Sequence, residues 1–298
     1  MTTAVEIPSG KHAGTENFPV GSWLLPARLR PHVAVYYAFA RAIDDVADSA
    51  ELPAEEKIRR LDGFAAALTG EHQDPGYEKA VRLRASMLET NVTTQHGLDL
   101  VAAFKQDAIK LRYKDWDDLM GYCILSASPV GRYLLDLHGE SRAGYPASDA
   151  LCNALQVLNH LQDCQDDYRL LDRVYLPQDW LQAAKTNVEE LNAPRSSAGM
   201  RAVIDRCLES TDRLIVLART LPQQLTSRHL AMESAVIVRI AEKLSALLRR
   251  RDPLAMRVKL SKPAFLGCGL HGILHGLLTK RPAAASTTLA APSGRRRP

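Results

Sequence analysis

Two stretches of this chain carry carboxylates four residues apart on what must be one face of a helix, and that pattern restricts the fold more than any other. At 100° per residue, Gln156, Asn159, His160, Asp163 and Asp167 fall in one narrow stripe, while Leu155, Val157, Leu158 and Leu161 spread around the rest. In the run Tyr37-Ala-Phe-Ala-Arg41-Ala-Ile-Asp44-Asp45-Val-Ala-Asp48, the residues Tyr37, Arg41, Asp44 and Asp48 stack in the same way. Like charges at i and i+4 destabilise a bare helix, so each stripe needs a cation or a positive partner. An acidic helix face is most often simply solvated, and Asp44-Asp45-Val-Ala-Asp48 alone says no more than that. The second stripe changes the balance, because charges on an otherwise apolar helix are rarely placed there without pairing or metal coordination. Oxygen-only donors select Mg²⁺ over zinc or copper, and Mg²⁺ completes its shell with water and phosphate oxygens. The ligand these stripes imply is a diphosphate.

With 298 residues, 46% of them hydrophobic, the chain can bury a sizeable core. The net charge of +4 leaves no nucleic-acid footprint, since much of the excess sits in Arg295, Arg296 and Arg297. Cys123, Cys152, Cys164, Cys207 and Cys268 are scattered and show no C-x-x-C spacing, so neither a disulfide framework nor a zinc site is signalled and a reducing cytoplasm is expected. The first fifteen residues lack an apolar signal-peptide core. The longest apolar stretch, Ala264 to Leu278, is too short and too interrupted to cross a bilayer.

Helical periodicity is expected over Pro31 to Ser49, Ala54 to Leu68, Lys79 to Glu89 and Leu98 to Leu111. It continues as one proline-kinked helix over Trp116 to His138, then as a central helix capped by Ser148 or Asp149. Further helices follow over Gln178 to Lys185, Ser196 to Leu221, Leu230 to Arg250 and onward from Pro263. No alternating strand is evident. The small residues of Tyr122-Cys-Ile-Leu-Ser-Ala-Ser-Pro-Val-Gly131 suit either close helix packing or the approach of a bulky ligand. The expectation is an all-α chain with one helical domain over residues 17–280, between a disordered segment 1–16 and a disordered tail 281–298.

Two other motifs fail on context. Gly267-Cys-Gly269-Leu-His-Gly272 fits G-x-G-x-x-G but follows no strand, and no acidic residue lies beyond Asp252 to hold a ribose. His271 and His275 have zinc-helix spacing, yet Gly272 stands where a metalloprotease needs glutamate. Phe265, Leu266, Leu270, Ile273, Leu274, Leu277 and Leu278 form an apolar face that serves either helix packing or weak association with a membrane surface.

On these residues the chain resembles the squalene and phytoene synthases, over roughly Asn17 to Lys262. The first motif of that family is met at Asp44 and Asp48, the second at Asn159, Asp163 and Asp167, and Arg173-Val-Tyr-Leu-Pro177 completes it. The resemblance implies an isoprenoid-synthase-type helical bundle with a central cavity. It implies Mg²⁺, more than one ion, on Asp44, Asp48, Asn159, Asp163 and Asp167, and substrate contacts from Tyr37, Arg41, Asp45, Gln156, Arg173 and Tyr175. Tyr122 takes the family's catalytic tyrosine position, and His160 is a second catalytic candidate, standing where a hydrophobic residue is commoner.

Gln162, His160 and Ala127-Ser-Pro-Val-Gly131 depart from the commoner members and, with Glu16-Asn-Phe-Pro-Val20 and Leu158-Asn-His-Leu-Gln-Asp-Cys164, are most like the branch that forms hydroxysqualene in bacterial hopanoid synthesis. The implied reaction ionises presqualene diphosphate and lets water capture the rearranged cation, without NADPH and in company with other squalene-pathway enzymes. Location is expected in the cytoplasm, with peripheral attachment to the inner face of the membrane left open. Two rivals stay open: a head-to-head prenyl diphosphate condensing enzyme, and a non-catalytic helical assembly protein, which retention of both acidic pairs disfavours.

Overall fold

The computed structural model describes Val5 and residues 24–278, apart from the side chains of His271 and residues 275–278. The segments expected to be disordered, 1–16 and 281–298, therefore lie outside the described residues except for Val5, whose carbonyl accepts a hydrogen bond from Arg60 Nη1 at 3.1 Å.

The chain is helical almost throughout. In order come α1 (Arg30–Asp48), α2 (Ala54–Thr69), α3 (Glu78–Thr90), α4 (Gln95–Asp107), the strand β1 (Arg112–Tyr113), α5 (Trp116–Ser126), α6 (Ser128–Leu137) and α7 (Tyr145–Leu171). After it come the strand β2 (Val174–Pro177), α8 (Gln178–Ala183), α9 (Ala198–Ala218), α10 (Leu221–Gln224), α11 (Arg228–Arg250) and α12 (Lys262–Leu278). The all-α expectation holds. Pro31 opens α1, where its missing N–H costs nothing, and the face of Val33, Tyr36, Phe39, Ile43 and Val46 is buried while Tyr37, Arg41, Asp44 and Asp48 stay half-buried on the next face. One apolar cluster runs from Leu25 to Val258, and a smaller one of Leu24, Val236, Ile240 and Cys268 seats α12 on α11. The stretch Gly267 to Gly272 lies inside α12, so it forms no strand-to-helix phosphate loop.

Two expectations are corrected. The single kinked helix over Trp116 to His138 is two helices divided at Ala127, because Pro129 has no N–H to continue α5 and instead sits in the first turn of α6. Neither Ser148 nor Asp149 caps the central helix. That helix, α7, starts from Gly144, four residues before Ser148, with Pro146 in its first turn. Ser148 is buried within it, and Asp149 accepts two hydrogen bonds from Arg132 of α6, at 2.9 and 2.6 Å.

Two short strands accompany the helices, and neither is an alternating one. Arg112 pairs with Val174 and Tyr113 with Pro177 in a small parallel ladder, shifted in register between the two pairs. Two and four residues are too short for an alternating pattern, and β2 is buried along its whole length, so nothing in its sequence alternates. This ladder ties the end of α7 back to the end of α4, and it carries Arg173 and Tyr175 toward the centre of the bundle.

Candidate active site

The two acidic stripes meet. Asp44 and Asp48 of α1 and Asn159, His160, Asp163 and Asp167 of α7 line one polar cleft, together with Gln156, Arg173 and Tyr175. The helix α7 supplies its stripe over three turns without a break, since it is 27 residues long and stops only at Asp172, whose φ of 52° is left-handed. Nearly all the predicted site residues are thus brought together. Asp45 is placed differently. It lines neither this cleft nor the apolar cavity beside it; it is buried and accepts from Arg41 Nε at 2.9 Å, which holds the guanidinium at the cleft mouth beside Asp44.

The electrostatics follow from this geometry. Burial, then the neighbouring Asp167, pushes the Asp163 carboxyl above the ordinary carboxylate range, with Arg257 and His160 opposing the rise. Asp48 is held by Arg173 Nη1 at 2.6 Å. Arg173 also donates to the carbonyls of Asp107 at 3.1 Å and Ala47 at 2.8 Å, so it joins β2 to the ends of α4 and α1. The His160 ring stacks on Tyr175, with centroids 3.5 Å apart and planes at 13°. Gln156 Nε2 lies 3.1 Å from His160 Nε2. The other ring nitrogen, Nδ1, faces Asp167 at 3.8 Å.

The donor set fits hard cations, with a condition. Every candidate ligand is an oxygen donor, and the two banks face one another across the cleft. Among the described residues, however, no three His, Cys, Asp or Glu side chains stand close enough to hold a metal ion unaided. Ions here therefore need further oxygens from a bound anion and water, which is the habit of Mg²⁺ with diphosphates.

Sequence reasoning missed two members of the site. Asp107, at the end of α4, is only 3% exposed and accepts from Tyr122 Oη at 2.7 Å and from Tyr175 Oη at 3.0 Å. Its signal was present, because Asp107 continues the inward-facing stripe of the buried Leu100 and Ala103 and the half-buried Phe104, and an acid in such a stripe needs partners. Ser126 follows Tyr122 by one turn of α5; its buried hydroxyl has no hydrogen-bond partner among the described residues.

Beyond the cleft lies a second, mainly apolar cavity, walled by residues such as Tyr37, Val130, Leu134, Leu151, Leu155 and Ile237. Asp44, Phe104, Ser126, Gln156 and Asn159 line both, so the two compartments adjoin. Small residues make this room: Gly131 lies so close to α7 that a Cβ on it would come within 2.7 Å of Cys152 Sγ.

Comparison with known proteins agrees with this architecture. Residues 11–264 match the squalene/phytoene synthase family. The chain is 42% identical to the hydroxysqualene synthase of Rhodopseudomonas palustris over 89% of this chain and 90% of that one. It is 41% identical to the hydroxysqualene synthase of Zymomonas mobilis, over 89% of each. Among solved structures, the squalene synthase HpnC of Alicyclobacillus acidocaldarius superposes with a TM-score of 0.68 at 31% identity, covering 78% of this chain and 87% of that one. A dehydrosqualene synthase shares the fold at 19% identity, with a TM-score of 0.75. Paired acidic stripes on α1 and α7, an apolar chamber adjoining them and a match over most of the length lead to one conclusion: the chain belongs to the squalene/phytoene synthase family.

Proposed function

We propose that this protein converts presqualene diphosphate to hydroxysqualene with release of diphosphate. The observation that carries the reading is that the acidic cleft adjoins the apolar cavity along five shared lining residues, which suits a ligand with a diphosphate at one end and a long hydrocarbon at the other. Relatives of more than 40% identity named hydroxysqualene synthase support it over the condensing and assembly alternatives.

Mg²⁺, held by Asp44, Asp48, Asn159, Asp163 and Asp167 with the diphosphate oxygens, would neutralise the charge that develops on the leaving group. Arg41 adds a charge-assisted donor at the same mouth. Gln156 sits where the compartments join and orients the carbon that loses the diphosphate. The apolar walls keep bulk water from the cation, and the face of Tyr37 stabilises positive charge. His160, Tyr122 and Ser126 supply the polar atoms that hold one selected water near the cation.

Presqualene diphosphate incubated in water enriched in heavy oxygen should yield labelled alcohol with no reductant added. Squalene formed only in the presence of NADPH would mean that hydride, not water, ends the reaction, and product from farnesyl diphosphate alone would mark a condensing enzyme.

The substrate is a lipid, and the protein is read as a peripheral visitor to the membrane's cytoplasmic face. No helix among the described residues is long and apolar enough to cross a bilayer. Leu266, Leu270 and Leu274, spaced by four on α12, are each more than half exposed, whereas Cys268 and Gly272 on the opposite side face α11. From residue 253 to the end the chain has no acidic residue and eight Lys or Arg, so this ridge is suited to an anionic surface. Changing the three leucines to serine should abolish flotation with anionic vesicles and leave the melting temperature in place; undiminished flotation would remove α12 from the interaction.

A further inference from the structure

Capture of a carbocation by water leaves a protonated alcohol, which reverts unless its extra proton is removed. The reading above, in which water ends the reaction, therefore demands a proton acceptor close to the point of capture. The carboxylates of the two stripes are committed to cations and to Arg41 and Arg173. Asp107 belongs to neither stripe, reaches the same cleft from α4, and has both oxygens occupied by phenol donors, Tyr122 on Oδ2 and Tyr175 on Oδ1.

We propose that Tyr122 and Asp107 form a proton relay that completes water capture. As the C–O bond forms, the water's O–H bond breaks and its proton passes to Tyr122 Oη, while Tyr122 gives its own proton to Asp107 Oδ2. The cation becomes a neutral alcohol, Tyr122 ends as the phenol it began as, and Asp107 ends as the carboxylic acid. No heavy atom needs to move. Asp107 Oδ1 still accepts from Tyr175, and the new proton on Oδ2 points back along the 2.7 Å contact to Tyr122. The acid returns its proton to water when the alcohol leaves.

The surroundings favour this direction of transfer. Burial is the main cause that raises the Asp107 carboxyl above its ordinary range, so the acid form is less costly there than in water. Burial also pushes the Tyr122 and Tyr175 phenols well above theirs, so neither persists as a phenolate. Tyr113 and His160 stack on Tyr175 at 5.5 and 3.5 Å, and the Asp107 carbonyl accepts from Arg173, which together fix the carboxyl and its donors. Ser126, on the same face of α5 as Tyr122, offers the water a second anchor through its unpartnered hydroxyl.

The test measures diphosphate release and product identity together, in single turnovers of presqualene diphosphate with Mg²⁺, for the full-length protein, Asp107→Asn and Tyr122→Phe. Asparagine keeps the shape of the carboxyl but cannot take the proton, and phenylalanine breaks the relay at its first atom. Among the products each variant forms, the alcohol share should fall at least about tenfold in favour of hydrocarbons formed by proton loss from carbon to the released diphosphate. Hydroxysqualene as the sole product of either variant, at whatever rate, would overturn the relay. So would loss of diphosphate release in both, since the two groups would then serve ionisation rather than capture. If the unaltered protein makes no alcohol, the proposed function fails first, and the two failures are thereby told apart.

Discussion

Asp44→Ala and Asp163→Ala should each lower turnover of presqualene diphosphate by about a thousandfold or more, with helical content unchanged. Both side chains are half-buried on facing helices and line the cleft. Each removes one of few oxygen donors in a site where, among the described residues, no three His, Cys, Asp or Glu side chains stand close enough to hold an ion, so cation and leaving-group binding should weaken together. Several kcal/mol of charge stabilisation lost at the departing oxygen gives an effect of this size. Folding should not suffer. Asp163→Ala relieves the repulsion with Asp167 that, after burial, holds its carboxyl high, and alanine is the best helix former. Circular dichroism and steady-state rates across a Mg²⁺ titration decide the matter. Near-parental activity in either variant, at any Mg²⁺ concentration, would dismiss the metal assignment.

Arg173→Met should cost about 3 kcal/mol of stability and most of the activity. The Arg173 side chain is 6% exposed and its loss strands the Asp48 carboxylate, itself 25% exposed, on the inner end of α1. Partial exposure of Asp48 keeps the cost at the lower end of that for a broken buried ion pair. The Ala47 carbonyl keeps a donor in Lys57 Nζ at 2.9 Å, but the Asp107 carbonyl loses the guanidinium that donates to it. A urea midpoint lowered at constant slope would register the stability term. Lysine should rescue little, because one ammonium cannot reach three acceptors that a planar fork spans. Unchanged stability in Arg173→Met would mean that the α1, α4 and β2 ends are held by packing alone.

Much of this molecule was readable in advance for a definite reason. Helix identity depends on residues three and four apart, and the long helices α1, α7, α9 and α11 announce themselves through that local repeat. The repeat also exposes polar residues that break it, which is why Tyr37, Arg41, Asp44 and Asp48 and then Gln156, Asn159, His160, Asp163 and Asp167 could be named as two stripes before any contact was known. The break at Ala127 was less legible, since Pro129 allows either a kink or a new first turn, and packing of α6 on α7 through Gly131 chooses the latter.

What remained needed tertiary structure, because it depends on groups distant in sequence. Asp45 looks equivalent to Asp44 along the chain, yet one residue rotates it by 100° and turns it from the cleft into the core, where it braces Arg41. The parallel pairing of β1 with β2 joins residues about sixty apart, and two to four residues per strand carry no pattern of their own. Asp107 is likewise an ordinary helix-end acid until α5 and β2 bring Tyr122 and Tyr175 to its two oxygens. The sequence by itself determined the helices and the pair of acidic faces, through periodicity fixed by local backbone geometry. Only the tertiary structure decided which charges meet, which are braced by arginine and which carboxyl stands behind the tyrosine, since those are distances between helices and no local pattern encodes them.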